Sequence, residues 1–242
     1  MKWAILSDIH ANLEALRAVI DDLRAVEAHR IVCLGDIVGY GADANLCLRL
    51  LRGETGEIVA GNHDCAAAGL TDLDSFQPTA REAVLWTRKE LSPAAVDFLR
   101  TLPLARETEG MTFVHATPED PAGWAYLLSP GDAAAGFRAM AGQVGFVGHS
   151  HRPLIWAERE GRSIELLDGE GVRLQRNTRY LFNVGSVGQP RDGDCRAAYG
   201  LYDDSSGEFL LRRVSYDIQA AADKITRAGL PPSLALRLFA GR

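Results

Sequence analysis

The stretch WAILSDIHANLEAL, residues 3–16, decides how the fold is read. It continues a short, largely apolar run from Lys2 to Ser7, the pattern of a buried strand. Leu13, Leu16, Val19, Ile20 and Leu23 then recur at helical spacing, which predicts an amphipathic helix from Asn12 to about Val26. Asp8 and His10, two strong metal ligands one residue apart, stand between strand and helix.

The same logic repeats outward. RIVCLGD from Arg30 reads as a strand, GDIVGYGAD as a Gly-rich turn, and the residues around Leu46, Leu50 and Leu51 as a helix, followed by the strand EIVAG from Glu57. Alternating strands and helices with short apolar strands predict βαβ units and a mainly parallel sheet covered by helices. Residues 78–101 look helical, broken at LSPAA, where Pro93 suits a first helical turn. MTFVHA from Met111 and VGFVGHSH from Val144 return to the strand pattern, with a helix from about Asp132 to Ala141 between them. After Pro153 the chain becomes a series of short strands, with Asp168 and Gly169 placed as a tight hairpin turn. No repeat, low-complexity tract or long linker divides the chain, so residues 1–242 are expected to form one α/β domain with two sheets.

Composition narrows the function. The chain is 47% apolar and 24% charged, as globular proteins are, which excludes disordered and collagen-like classes. A net charge of −6 without a Lys/Arg-rich run argues against a long nucleic acid as partner, while an anionic substrate stays open because bound cations would reverse the local field. Cys33, Cys47, Cys65 and Cys195 make no C-x-x-C pair and read as reduced thiols, and no apolar segment has the length of a membrane span. A cytoplasmic location follows as the expectation.

Asp8 and His10 have company. Asp36 in LGD, Asn62, His63 and Asp64 in GNHD, His115 in FVHA, and His149 and His151 in GHSH each follow an apolar strand, the position at which open α/β sheets bind ligands. Five of the six histidines lie in these motifs, His29 alone elsewhere. One such motif is weak evidence. Five together are hard to explain structurally, because buried carboxylates and imidazoles must be paired. Asp8, His10, Asp36, Asn62, His115, His149 and His151 supply oxygen and imidazole without thiolate, a set suited to Mn²⁺, Fe or Zn²⁺, and seven ligands exceed the need of one tetrahedral ion. Two divalent ions sharing a carboxylate fit the count and would support attack of a bridging hydroxide on a phosphoryl group. His63, left over beside Asn62, is placed to protonate the leaving oxygen.

The ordered set D-x-H, G-D, G-N-H-D, H and G-H-x-H, from Ser7 through His151, resembles the calcineurin-like metallophosphoesterase superfamily. The wording SDIHAN, GDIVGYG and NVGSVGQPRDGD is similar to its small single-domain bacterial and archaeal phosphodiesterases. That resemblance implies a four-layer α/β/β/α sandwich of two mixed β-sheets flanked by helices, with a dinuclear site at the sheet edge. It gives Asp8, His10 and His151 to one metal, Asn62, His115 and His149 to the other, Asp36 to both, and the catalytic role to His63. Manganese is the first expectation for the two ions, iron or zinc the alternatives. The departures also inform: Gly39 and Tyr40 stand where phosphoprotein phosphatases of the superfamily carry Asp and Arg, and Glu119 in HATPEDP takes the place of a cation.

Arg191 in GSVGQPRDGD is the best further phosphate ligand, with an ion pair to Asp192 or Asp194 as its alternative. Trp124 and Tyr126 read first as core aromatics and second as a platform for a nucleobase. The tail GLPPSLALRLF reads as a short helix that covers an edge or makes a homodimer contact, without chemistry. The expected activity is hydrolysis of a small phosphate diester or nucleotide, dinucleoside polyphosphates included. Phosphomonoesterase or protein phosphatase is the nearest alternative, and an inactive scaffold the alternative of another class.

Overall fold

A computed structural model describes residues 1–159 and 164–242. Strand β1 (Lys2–Leu6) lies in the first sheet, parallel to β2 (Arg30–Cys33), which is parallel to β3 (Glu57–Ile58). Helices α1 (Leu13–Ala25) and α2 (Ala44–Glu54) are the crossovers. Asn12 caps α1 by accepting from the Ala15 N–H, and Leu13, Leu16, Val19, Ile20 and Leu23 form the face it buries.

The second sheet repeats the plan. Strand β4 (Ala105–Thr108) pairs antiparallel with β5 (Met111–Val114), and helix α6 (Pro130–Ala139) crosses from β5 to the parallel strand β6 (Val144–Val147). Strands β7 (Leu154–Arg159) and β8 (Ile164–Leu167) continue it, with β10 (Thr178–Asn183) inserted between β6 and β7. The first sheet is completed by β9 (Gly171–Arg173), β11 (Ala197–Asp203) and β12 (Glu208–Val214). The orders are β3-β2-β1-β11-β12-β9 and β4-β5-β6-β10-β7-β8, both mixed.

Between the sheets lies an apolar core drawn from both, with Trp3, Ile5, Val32 and Leu34 facing Phe113, Phe146, Ile155 and Phe182. Residues of α1 and α2 pack the outer side of the first sheet, and Ala133 and Phe137 of α6 that of the second. The result is the expected α/β/β/α sandwich. Helices α3 (Asn62–Ala67), α4 (Pro78–Glu90), α5 (Pro93–Arg100), α7 (Ile218–Arg227) and α8 (Pro232–Ala240) complete the chain.

Three local expectations need correction. Asp168 and Gly169 do not close a hairpin: β8 pairs with β7, whereas β9 pairs with β12, so this turn carries the chain from one sheet to the other. The strand at EIVAG lasts only two residues, because the Ala60 N–H leaves the ladder and donates to the Pro103 carbonyl at 2.8 Å. Helix α6 starts two residues early, where the Ser129 hydroxyl accepts from the Asp132 N–H and the Asp132 carboxylate accepts from the Ser129 N–H.

Candidate metal centre

The C-terminal ends of β1, β2, β5 and β6 meet at one edge of the sandwich, and the loops that leave them interlock. A Cβ at Gly148 would lie 1.9 Å from Ser7 Oγ and 2.6 Å from Asp8 Oδ2, so only glycine lets the β6 loop close on the β1 loop. Main-chain bonds lock the other pair: the Asp8 N–H donates to Gly35 O at 3.0 Å and the His10 N–H to Asp36 O at 2.9 Å.

Two groups of side chains result, Asp8 with His10 and His151, and Asp36 with His115 and His149. In each group the ligand atoms lie within 4.8 Å of one another. The backbone chooses which imidazole nitrogen faces inward. Nδ1 of His10, His115 and His151 is bonded to the carbonyls of Val38 (3.1 Å), Leu34 (2.9 Å) and Gln189 (2.6 Å), and Nε2 of His149 to that of Trp124 (2.9 Å). A carbonyl only accepts, so each of these nitrogens carries the proton and the opposite one is left bare, as metal-binding histidines require. The bare nitrogens then oppose each other, His10 Nε2 to His151 Nε2 at 3.1 Å and His115 Nε2 to His149 Nδ1 at 3.2 Å. Facing lone pairs at that distance repel unless a cation lies between them.

The oxygens complete the picture. Asp8 Oδ2 accepts from Ser7 Oγ and the His149 N–H, while Oδ1 is buried without a hydrogen bond, 3.2 Å from His151 Nε2. Asp36 Oδ1 accepts from the His63 N–H at 2.8 Å, and its Oδ2 lies 3.6 Å from His10 Nε2 and 3.4 Å from His115 Nε2, between the two groups. Asn62 Oδ1 is buried and unpartnered among the described residues. Burial disfavours both carboxylates in charged form, yet the imidazoles of His151 and His10 around Asp8, and of His115 and His63 around Asp36, hold each well below the usual carboxylate range. Burial pushes His149 and His151 down to about 4, so they stand as neutral donors, whereas at His115 the Asp36 carboxylate overcomes burial and raises it to about 9, so that a cation at its Nε2, a proton or a metal ion, is favoured. The donor set fits two divalent cations.

Asp64 has a different task. Its carboxylate accepts from the main-chain N–H groups of Ile37, Val38 and Gly61, bracing the Asp36 loop against the start of α3. His63 is buried at the rim between Tyr40, Phe76 and His10, with ring centroids 4.5, 5.1 and 4.9 Å away. Its Nδ1 is buried without a partner among the described residues.

A cleft of about 460 Å³ opens over the centre, lined by Asp36, Asn62, His63, His149 and His151 and walled by Tyr40, Phe76, Trp124, Tyr126, Arg191 and Arg237. Arg191 pairs with neither Asp192 nor Asp194, which bind Arg213 and Arg196 instead. Trp124 and Tyr126 are not core aromatics: Tyr126 is 49% exposed and stacks on His149 at 4.4 Å. Arg237 lies in the tail helix, for which the sequence pattern predicts no chemistry. Its only signal there is one cation on an otherwise apolar helix.

Comparison with known proteins agrees with this geometry. The calcineurin-like phosphoesterase superfamily domain matches residues 1–206. A protein of Methanocaldococcus jannaschii described as uncharacterized is 43% identical over 99% of this chain and 98% of its own. The crystal structure of a metallophosphoesterase from Sphaerobacter thermophilus superposes with a TM-score of 0.87 at 39% identity, covering 100% of this chain and 99% of that one. A hypothetical protein from Pyrococcus horikoshii shares the fold at TM-score 0.78 and 18% identity, over 100% and 98% of the two chains.

Proposed function

The chain belongs to the calcineurin-like phosphoesterase superfamily, and from that premise we propose that it is a two-metal phosphodiesterase for a small phosphate diester or nucleotide, dinucleoside polyphosphates included. The observation that carries this reading is the pair of opposed bare imidazole nitrogens in each group, with Asp36 Oδ2 between the groups. Asp8, His10 and His151 would hold one ion and Asn62, His115 and His149 the other, with Asp36 shared. Oxygen and nitrogen donors without thiolate favour Mn²⁺, with Fe or Zn²⁺ next. Two such ions, when bound, supply Lewis acidity toward the phosphoryl oxygens and lower the pKa of water.

The remaining work falls to the chain's own side chains. His63 is not needed as a ligand, and its ring lines the cleft, so it is placed to give a proton to the leaving oxygen. Burial holds it well below the ordinary histidine value, and an incoming phosphate anion is the charge that would favour its protonated form. Arg191 lines the same cleft as a cation for substrate oxygens.

We read residues 1–242 as one domain, since α7, α8 and α4 share a core with Tyr40 of the cleft wall. No helix among the described residues is long and apolar enough to cross a membrane. The test is turnover of bis-p-nitrophenyl phosphate against p-nitrophenyl phosphate after reconstitution with Mn²⁺, Fe²⁺ or Zn²⁺. The diester should be preferred. Preference for the monoester would make the protein a phosphomonoesterase, and no turnover of either with any metal would leave an inactive scaffold.

A further inference from the structure

Two guanidinium groups enter the cleft without an acidic partner among the described residues. The Arg191 Nη2 and Nε donate to Gln189 Oε1 at 2.7 and 3.3 Å, and the Arg237 Nη1 donates to the same oxygen at 3.2 Å. Arg237 Nε is buried and has no hydrogen-bond partner among the described residues. Acids are not scarce in this chain: Arg179 binds Glu158, Arg212 binds Asp22 and Arg213 binds Asp192. At the cleft, two positive charges share one neutral amide oxygen. Burial, and then the charge of Arg191, lowers the pKa of Arg237, so the pair sits there at an electrostatic cost.

The fold nevertheless holds both in place. Helix α8 is pinned by Leu234, Ala235 and Leu238, which pack with Ala221, Ala222 and Ile225 of α7. Gln189 is 2% exposed, and its main-chain oxygen is the one that orients His151. Both guanidinium groups bond to Gln189 and, among the described residues, to no side chain of the candidate metal ligands. The Tyr40 ring neighbours both the pair and the centre, 5.6 Å from the Arg191 guanidinium and 4.6 Å from the His10 ring. In the same cleft, the Tyr126 ring stacks on His149.

We infer that Arg191 and Arg237 form a seat for a second phosphate, so that the substrate carries at least one phosphoryl group beyond the one cleaved. The inference rests on the phosphoesterase reading of the centre and narrows its substrate class to nucleoside diphosphate esters and longer phosphate chains. Forked N–H donors match phosphate oxygens, and an added anion balances the two charges that the chain leaves unbalanced.

The test is calorimetric binding of α,β-methylene-ADP and of AMP to the metal-loaded protein at fixed free Mn²⁺, beside the diesterase assay. Wild type should bind the diphosphate analogue about 10- to 100-fold tighter than AMP, the worth of one or two charge-assisted hydrogen bonds. Arg237→Gln should remove most of that ratio, Arg237→Lys should restore part of it, and the exposed Arg176→Gln should leave it unchanged. Equal affinity of wild type for the two nucleotides would overturn the seat even with diesterase activity intact. So would an Arg237→Gln defect of equal size for both, which would assign the arginine to the reacting phosphate. Absence of diesterase turnover with a preserved binding ratio would strike the phosphoesterase reading and leave the anion seat standing.

Discussion

Gly39→Ala should damage catalysis without emptying the metal centre. Gly39 has φ +89°, and a Cβ there would stand 2.5 Å from His63 Nδ1. That is short of ordinary contact by about 1 Å, and with Tyr40, Phe76 and His10 packed around its ring His63 can yield only by shifting along the cleft it lines. A displacement of about 1 Å in a group that must meet the leaving oxygen is worth roughly 10²-fold in kcat. The left-handed backbone adds a separate cost of about 1–2 kcal/mol, which in a chain of this size lowers Tm by about 2–8 °C. Gly69→Ala separates the two effects. Gly69 has φ +75°, and a Cβ added there would meet nothing within 4 Å, so this variant should lose comparable stability and keep full activity. The assay is kcat on a nucleotide diester with metal content by elemental analysis and Tm by calorimetry. Turnover of Gly39→Ala within two-fold of Gly69→Ala would refute the claim that the His63 ring position limits the rate. A parallel loss of metal would show that the glycine acts through the centre instead.

His63→Ala should retain its metal and slow a nucleotide diester by roughly 10²–10⁴-fold, with a smaller loss on nitrophenyl esters, whose leaving group needs little protonation. Equal losses on both would point to charge stabilisation rather than proton donation. Asp36→Asn should behave oppositely, lowering metal from about two equivalents per chain toward one or none and damaging both substrates alike, since Asp36 Oδ2 lies between the two imidazole groups. Retention of both equivalents in Asp36→Asn would remove the sharing role.

The candidate centre is legible in the sequence because each candidate ligand follows an apolar strand pattern, and strand ends in an α/β sheet converge on one edge. Periodicity likewise exposes α1, whose five apolar residues are among those it buries. Other parts have no comparable signal. Helix α3 is only six residues long, too short for a periodic pattern to stand out. The Asp168–Gly169 pair carries the chemistry of a turn, but turn chemistry does not say which sheet receives the next strand. Gly39 reads from sequence as the absence of an aspartate. What it provides, space for an imidazole, is visible only once residues 39 and 63 are in contact. Arg237 is 46 positions beyond Arg191 in the chain, and only the shared Gln189 oxygen brings the two together.

Backbone strain collects at the same site, at five of its seven candidate ligands. Asp8, His10, Asp36, His149 and His151 have φ between 47° and 65°, a region that side-chain-bearing residues avoid at a cost of about 1–2 kcal/mol each. Five such residues within one site represent several kcal/mol in a chain whose whole stability is expected to be of order 5–15 kcal/mol. Two things oppose that cost. The first is the mesh of main-chain bonds between loops, in which Asp8 and His10 donate to Gly35 and Asp36 while the Asp8 carbonyl accepts from Gly188. The second is the cation site itself, because metal binding to a site that exists only in the folded chain is coupled to folding. A left-handed residue reverses the chain within one position, and this turns Asp8 and His10, one residue apart from contact in sequence by Ile9, toward the same group. The strain is therefore a consequence of building a ligand cluster from successive strand ends, and the sequence carries no mark of it beyond the ligand residues themselves.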